Sequence, residues 1–409
     1  MADPASTPVV VLGGSRHGAL GIVRSLGRLG APVYVVHPDR MAPAFFSRYC
    51  HARLLWDVDT ATAEDSLRLL KALHERIGRR AVLIATSDLS TLFIVDHAEQ
   101  LGEWYIFPAQ DRGLIRALCS KKEMYFLAKK CGVPTPETTF PQSTADVRKF
   151  VATARFPLLL KPISSGPNAP PFRLVHGKDE LLWHYRGCKD PSNVMIQEYI
   201  PGGDEMTWTF NGYFDRQGQC AVAFTGRKLR NFRPYFGMAS LGVCVHNAEV
   251  ESTTIEFMKA VGYRGPLDLG YRYDARDGRY KVNDINPRIG AMFRLFVGTN
   301  GVDVARALYQ DMSGQQVSPA RAPEGRKWIV EDRDFISALV YLRDGRLSFR
   351  DWRRSLHGIQ ETSFFAADDL WPVGGALGHN IRAVLSRIAR IRERRANRLR
   401  WAEQPQTTS

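Results

Sequence analysis

Residues 263–294 read YRGPLDLGYRYDARDGRYKVNDINPRIGAMFR, and this stretch decides how the rest of the chain is read. Arg276-Asp277-Gly278 is a strong turn signal between two runs of strand-forming residues, so the stretch predicts a β-hairpin. The second strand ends in Asp284-x-Asn286-x-Arg288. Strand side chains alternate faces, so Asp284, Asn286 and, where the strand holds, Arg288 point one way. Pro287 marks the strand end. A turn centred on Asp277 sets Gly270 opposite Asp284 and Asp268 opposite Asn286, which makes Asp268 the diagonal neighbour of Asp284 on one face. Two oxygen ligands followed by a guanidinium fork suit a magnesium-bound polyphosphate. They equally suit a hairpin with solvated acids, and the rest of the chain has to choose.

The 409 residues predict two to four domains, and an apolar share of 44% is ample for their cores. No apolar run reaches membrane-spanning length. The N-terminal MADPASTPVVVLGG lacks a basic segment before its short apolar run, so it does not read as a signal peptide. The six cysteines are scattered without a C-x-x-C, which argues against zinc and a disulfide framework and gives a cytoplasmic location as the expectation. The net charge is +14, with eight arginines between Arg382 and Arg400. Such a chain suits nucleic acid, an anionic membrane or anionic small molecules.

Residues 9–36 read as a βαβ unit: VVVLGG, a helical stretch from Gly18 to Leu29, then PVYVV. The glycines after the first strand do not have dinucleotide spacing. His17 lies in this turn, as a ligand contact or a solvated loop residue. AVLIATSD, 81–88, is a buried strand ending in polar residues, and ligands of open α/β sheets gather at such carboxyl ends. Ser87 and Asp88 are therefore binding candidates, or caps for the next helix. Lys121 stands at the start of a helix that Gly132 stops. FPLLLKP, 156–162, is an apolar strand ending in Lys161, which needs an anionic partner there. Ser164, Ser165, Gly166 and Asn168 follow as small donors for phosphate oxygens. IQEYIPGGDE, 196–205, leaves another buried strand, and a later strand presents Arg227, Lys228, Arg230 and Arg233, as a solvated loop or a phosphate clamp.

The order of these motifs, over roughly residues 8–320, resembles the ATP-grasp superfamily and within it the carboxylate–amine ligase-like proteins. The resemblance implies mixed α/β and α+β architecture. An N-terminal Rossmann-like domain (1–118) precedes a small subdomain with a lid (119–199), a large subdomain with the metal site (200–320), and a C-terminal extension ending in a basic amphipathic helix (321–409). It implies that Lys121 and Lys161 contact the phosphates of ATP. Gln197, Glu198, Tyr199 and Ile200 form the hinge that reads adenine, largely through its backbone, and Asp204 or Glu205 holds the ribose. Asp284 and Asn286 are implied ligands of Mg²⁺, with Mn²⁺ as an alternative ion, and Arg288 and Lys228 join Lys161 as catalytic cations. The family usually carries a glutamate where this chain has Gly270, and Asp268 is the substitute on the same face. The N-terminal domain, with His17, Ser87 and Asp88, is the implied carboxylate-holding part, and Arg272 and Arg294 near the hairpin are further candidates for an anionic acid.

The implied reaction is attack of a carboxylate on ATP to give an acyl-phosphate, then displacement of phosphate by an amine. ATP, a small carboxylate and an amine are the expected partners. A second reading is an ATP-binding protein whose ligase activity is weakened and which sits on a membrane through its tail. In that tail, Leu377, Ile381, Val384, Leu385, Ile388 and Ile391 share one helical face among arginines. Such a helix packs on its own domain or lies on an anionic membrane or nucleic acid. No aromatic-plus-basic platform marks sequence-specific RNA recognition.

Overall fold

A computed structural model of the chain describes residues 7–14, 16–164, 169–234 and 237–382. Strands are numbered here in chain order. The first sheet is parallel, with β1 (Val9–Leu12), β2 (Val33–His37), β3 (Cys50–Leu55), β4 (Ala81–Ala85) and β5 (Tyr105–Ile106) in the order β3-β2-β1-β4-β5. The β-branched run of β1 is buried on both faces, as a central parallel strand requires. Thr62 caps the helix Ala63–Ile77 and left-handed Gly78 ends it. The chain turns tightly out of β1 because Gly13 has no side chain: a Cβ there would stand 2.6 Å from the ring of His37.

A four-stranded antiparallel sheet follows, in the order β6-β9-β7-β8, from β6 (Thr138–Thr139), β7 (Leu158–Pro162), β8 (Arg173–Val175) and β9 (Val194–Glu198). The third sheet has seven strands: β10 (Thr207–Phe214), β11 (Cys220–Phe232), β12 (Met238–Cys244), β13 (Gly265–Asp274), β14 (Arg279–Asn286), β15 (Lys327–Ile329) and β16 (Ile359–Thr362). Their order is β14-β13-β10-β11-β12-β15-β16. One apolar core joins the helix Arg16–Gly27 of the first sheet to Phe293, Leu295 and Phe296, the helix Val304–Met312 and Trp328. The first and third sheets are thus held against each other.

The β13–β14 hairpin has the register read from its turn: Gly270 faces Asp284 and Asp268 faces Asn286. Closer to the turn, Tyr271 pairs with Val282, so Asn283 is an extra, unpaired residue. This bulge sends Val282 into the core beside Tyr271 while Asp284 stays on the opposite face with Gly270.

The boundary drawn at 320 falls inside the third sheet. β15 pairs with β12 and β16 with β15, so the C-terminal extension contributes strands as well as helices. Its last described element is a helix over 371–382. Leu377 and Ile381 are exposed there instead of packing on the chain's own domain. Val384, Leu385, Ile388 and Ile391 lie outside the described residues.

Candidate active site

The three sheets border one cavity of about 1000 Å³. The carboxyl ends of β1 and β4 bring Gly14, Ser87 and Asp88 to it. The small sheet brings Lys161 and the segment from Gln197 to Ile200, and the large sheet brings Lys228, Asp268, Asp284 and Asn286.

At one end the hairpin acids converge. Asn286 donates from Nδ2 to Asp284 Oδ2 at 3.1 Å and to Asp268 Oδ2 at 3.4 Å. Arg288, past the strand end, donates to Asn286 Oδ1 at 2.8 Å and from Nε to Asp88 Oδ1 at 2.7 Å. Gly290 leaves the room for Asp268, because a Cβ there would stand 2.3 Å from its carboxyl carbon. Burial pushes the Asp268 carboxyl above the usual range; the charge of Asp284 adds to this, while Arg288 and Lys228 oppose it. Burial likewise depresses the Lys228 ammonium, against the pull of Asp268 and Asp284.

Next to them, Lys161 donates to Gln197 Oε1 at 2.8 Å and Lys121 to the carbonyl of Pro162 at 3.2 Å. Burial and the nearby Lys121 lower the Lys161 amine to about 8. An anion beside Lys161 would favour its charged form. Ser164 bonds to Asn193, while Ser165, Gly166 and Asn168 lie outside the described residues.

The segment after β9 is braced from behind. Gln197 donates to Thr138 at 2.9 Å. The Glu198 carboxylate takes Arg276 at 2.5 Å and Lys281 at 3.4 Å, so its side chain serves the hairpin turn. Tyr199 and Ile200 line the cavity.

Four expectations are corrected. Asp204 does not border the cavity: its buried carboxylate accepts from Asn231 at 2.7 Å and from the Tyr341 hydroxyl. Glu205 folds back on the backbone N–H of Gly203 at 3.1 Å. Neither is turned to a ribose. Arg272 borders the cavity, but its guanidinium clamps the carbonyls of Ile200 at 2.7 Å and Gly202 at 2.6 Å, which fixes the segment rather than a substrate. Arg294 is buried away from the cavity, paired with Asp303 at 2.5 Å and Glu361 at 2.8 Å.

The cavity is also lined by His17, Ser87 and Asp88, the last bonded to Arg288, and by residues the sequence did not single out: Asp59, Trp328, Arg333 and His379. Ser87 both caps the helix Asp88–Asp96 and donates to Asp59 Oδ1 at 2.8 Å. Burial raises the Asp59 carboxyl. The His17 ring lies 5.6 Å from that of Trp328.

No family model matches the chain. A D-aspartate ligase of Enterococcus faecium (strain Aus0004) is 25% identical over 321 residues, covering 74% of this chain and 76% of the relative. Among solved structures, the N5-carboxyaminoimidazole synthetase of Staphylococcus aureus complexed with ADP superposes with a TM-score of 0.61 at 14% identity, over 76% of this chain and 78% of that one. The L-amino acid ligase of Bacillus licheniformis superposes with a TM-score of 0.57 at 14% identity, over 77% and 78%. The chain shares the fold of these two structures and is similar in sequence to a ligase.

The two carboxylates at the hairpin end of this cavity suit a hard divalent cation. Asn286 turns its Nδ2 to them and its Oδ1 to Arg288, so its amide joins as an oxygen ligand by a half-turn about its side chain. The two acids repel, and a cation between them would relieve the upward shift of Asp268. Among the described residues no group of three or more His, Cys, Asp or Glu side chains is placed to hold a metal. The set is therefore too small for an all-protein cage and suits an ion that keeps water and phosphate oxygens as its other ligands.

Asp59 carried a usable sign in the sequence: it follows β3 at a strand's carboxyl end, where the other ligand contacts gather. Trp328, Arg333 and His379 carried none, because each is a lone residue in a segment that reaches the cavity only through tertiary folding.

Proposed function

We propose that this cavity activates the carboxylate of a small amino acid with ATP and passes the acyl group to an amine. The observation that carries this reading is the meeting, in one cavity, of the Asp268–Asp284–Asn286 oxygens with Lys121, Lys161 and the braced segment Gln197–Ile200. In this reading the backbone of Tyr199 and Ile200 holds adenine, and Lys121 and Lys161 hold the phosphates. Asp268, Asp284 and Asn286 would hold Mg²⁺, with Mn²⁺ as a substitute; that ion would screen the triphosphate and draw charge from the transferring group. Lys228 and Arg288 border the same space and stabilise negative charge as it develops on the attacked phosphoryl group. Phosphoryl transfer is mostly positioning and charge neutralisation, so a cavity built of fixed cations is what it requires.

The amino-acid assignment rests on the remaining lining, which offers both signs. Asp59 is suited to an ammonium, while Arg333 is suited to a carboxylate. The likeness to a D-aspartate ligase supports the same substrate class.

The test is ADP release with panels of amino acids and amines. Wild-type protein is expected to release ADP only when both are present. Asp284→Ala and Lys161→Ala should each lower the rate by roughly 10²–10³-fold, with unchanged melting. Full activity in either variant overturns the reading.

A further inference from the structure

We infer that the helix 371–382 is two-faced, walling the cavity with one side and docking the ligase on an anionic lipid surface with the other. Its inner face is made of positions 375, 378, 379 and 382, which share one side of a helix. A Cβ on Gly375 would stand 2.6 Å from the Phe46 ring, and one on Gly378 would stand 2.4 Å from Met41, so the helix lies directly on the N-terminal domain. His379 pairs with Asp39 and borders the cavity, and Arg382 lies 3.7 Å from the same Asp39.

The other side is apolar and uncovered. Leu377 and Ile381 are each more than half exposed, and Val373, one turn before Leu377 on the same side, is 41% exposed. Between Leu377 and Ile381, Asn380 donates to Asp332 at 2.8 Å, at the start of the helix Glu331–Arg343. Phe335 and Ile336 stand three and four residues after Asp332, hence on the same side of that helix, and with Leu339 they too are more than half exposed. Ten of the seventeen large apolar side chains exposed among the described residues lie between 335 and 381, in the C-terminal extension. Scattered surface leucines are ordinary; a contiguous apolar area is an interaction site.

Charge selects the partner. Residues 383–400 hold seven arginines and one acid, and Val384, Ile388 and Ile391 continue in sequence the spacing of Leu377 and Ile381. An apolar stripe bordered by arginines is the chemistry of a helix lying in a headgroup layer, with its apolar side at the acyl boundary and its guanidinium groups on anionic lipid. A second copy of the chain carries the same +14 charge and is repelled. Nucleic acid would meet the arginines but leave Val373, Leu377 and Ile381 in water. Because His379 is on the inner face of the same helix, docking sets the cavity mouth beside the lipid surface.

The experiment is co-sedimentation of the full chain with phosphatidylcholine vesicles, with and without phosphatidylglycerol. Binding should be roughly tenfold or more tighter with the anionic lipid, and should weaken with added salt. The double variant Leu377→Glu/Ile381→Glu should lose it while keeping ADP release in solution, which also reports that the variant is folded. Val373→Glu, on the same outer side, serves the same purpose should the double variant not fold. Equal binding to both vesicle types, binding unchanged in the variants, or a dimer that the variants dissolve overturns the inference.

Discussion

Lys161 shows how one residue couples burial to chemistry. At the end of β7, with Lys121 near it, its amine is lowered to about 8. An amine is charged below its pKa and neutral above it, so the phosphate contact is present below about 8 and lost as pH rises through that value. The value belongs to the free enzyme, which is what kcat/KM reports. With the amine substrate saturating, kcat/KM for ATP should fall about tenfold per pH unit above pH 8. Lys161→Arg, whose guanidinium stays charged, should remove that limb. A flat profile to pH 9.5 or so would show that Lys161 does not meet the phosphates in its charged form. Gly290 makes the second case at this scale. Its missing side chain is the space the Asp268 carboxylate occupies. Gly290→Ala should therefore act as a metal-site change, raising the Mg²⁺ needed for half-maximal ADP release by roughly 10–100-fold. An unchanged Mg²⁺ requirement would remove Asp268 from the ion's ligands.

At the scale of elements, the hairpin and the segment after β9 act as one unit. Arg272, on the hairpin face that carries Asp268 and Gly270, reaches across to the carbonyls of Ile200 and Gly202, and Arg276 and Lys281 hold Glu198. The hairpin thus positions the adenine-side backbone as well as the metal-side acids. Arg272→Ala should raise KM for ATP by roughly 10-fold, from loss of charge-assisted hydrogen bonds worth about 1.5–3 kcal/mol each, with kcat little changed. Arg272→Lys should not restore it, since one ammonium does not span the two carbonyls as the fork does. A rise in KM for the acid with that for ATP unmoved would return Arg272 to the substrate. Much of this unit was legible in the sequence. The turn triplet and alternation gave the pairing of Gly270 with Asp284 from a turn centred on Asp277; the loop in fact closes half a residue earlier, at Asp274 and Arg279, and the bulge at Asn283 restores that pairing. The bulge at Asn283 was not legible, because one extra residue leaves the alternation intact on either side of it. Nor was the true position of Asp204. Its partners Asn231 and Tyr341 are 27 and 137 residues away, and an acid after a glycine pair looks the same whether it faces a ligand or the core.

On the scale of the whole molecule, buried ion pairs bind the C-terminal extension to everything else. Arg294 and Arg326 share Glu361 of β16. Arg230 of β11 meets Asp334 at 2.8 Å, both buried. Arg24 of the N-terminal domain meets Asp369 at 2.9 Å, and the same carboxylate accepts from Ser47 and from the N–H of Arg48. Charge alone concealed this in the sequence: an arginine 345 residues from its partner reads as one more surface cation. The arrangement predicts an asymmetry between two neighbouring arginines. Arg24→Ala leaves the Asp369 carboxylate buried without its guanidinium and should destabilise the fold by about 3–5 kcal/mol. Arg28, just past the end of the helix Arg16–Gly27, pairs with Asp368 in a solvent-accessible setting, so Arg28→Ala should cost no more than about 1 kcal/mol. Urea denaturation of both variants measures the difference. The extension also supplies Trp328, Arg333 and His379 to the cavity. The loss in Arg24→Ala should therefore appear as reduced ligase activity at temperatures where Arg28→Ala is still fully active. Equal unfolding midpoints for the two variants would mean that the extension is held by its strands alone.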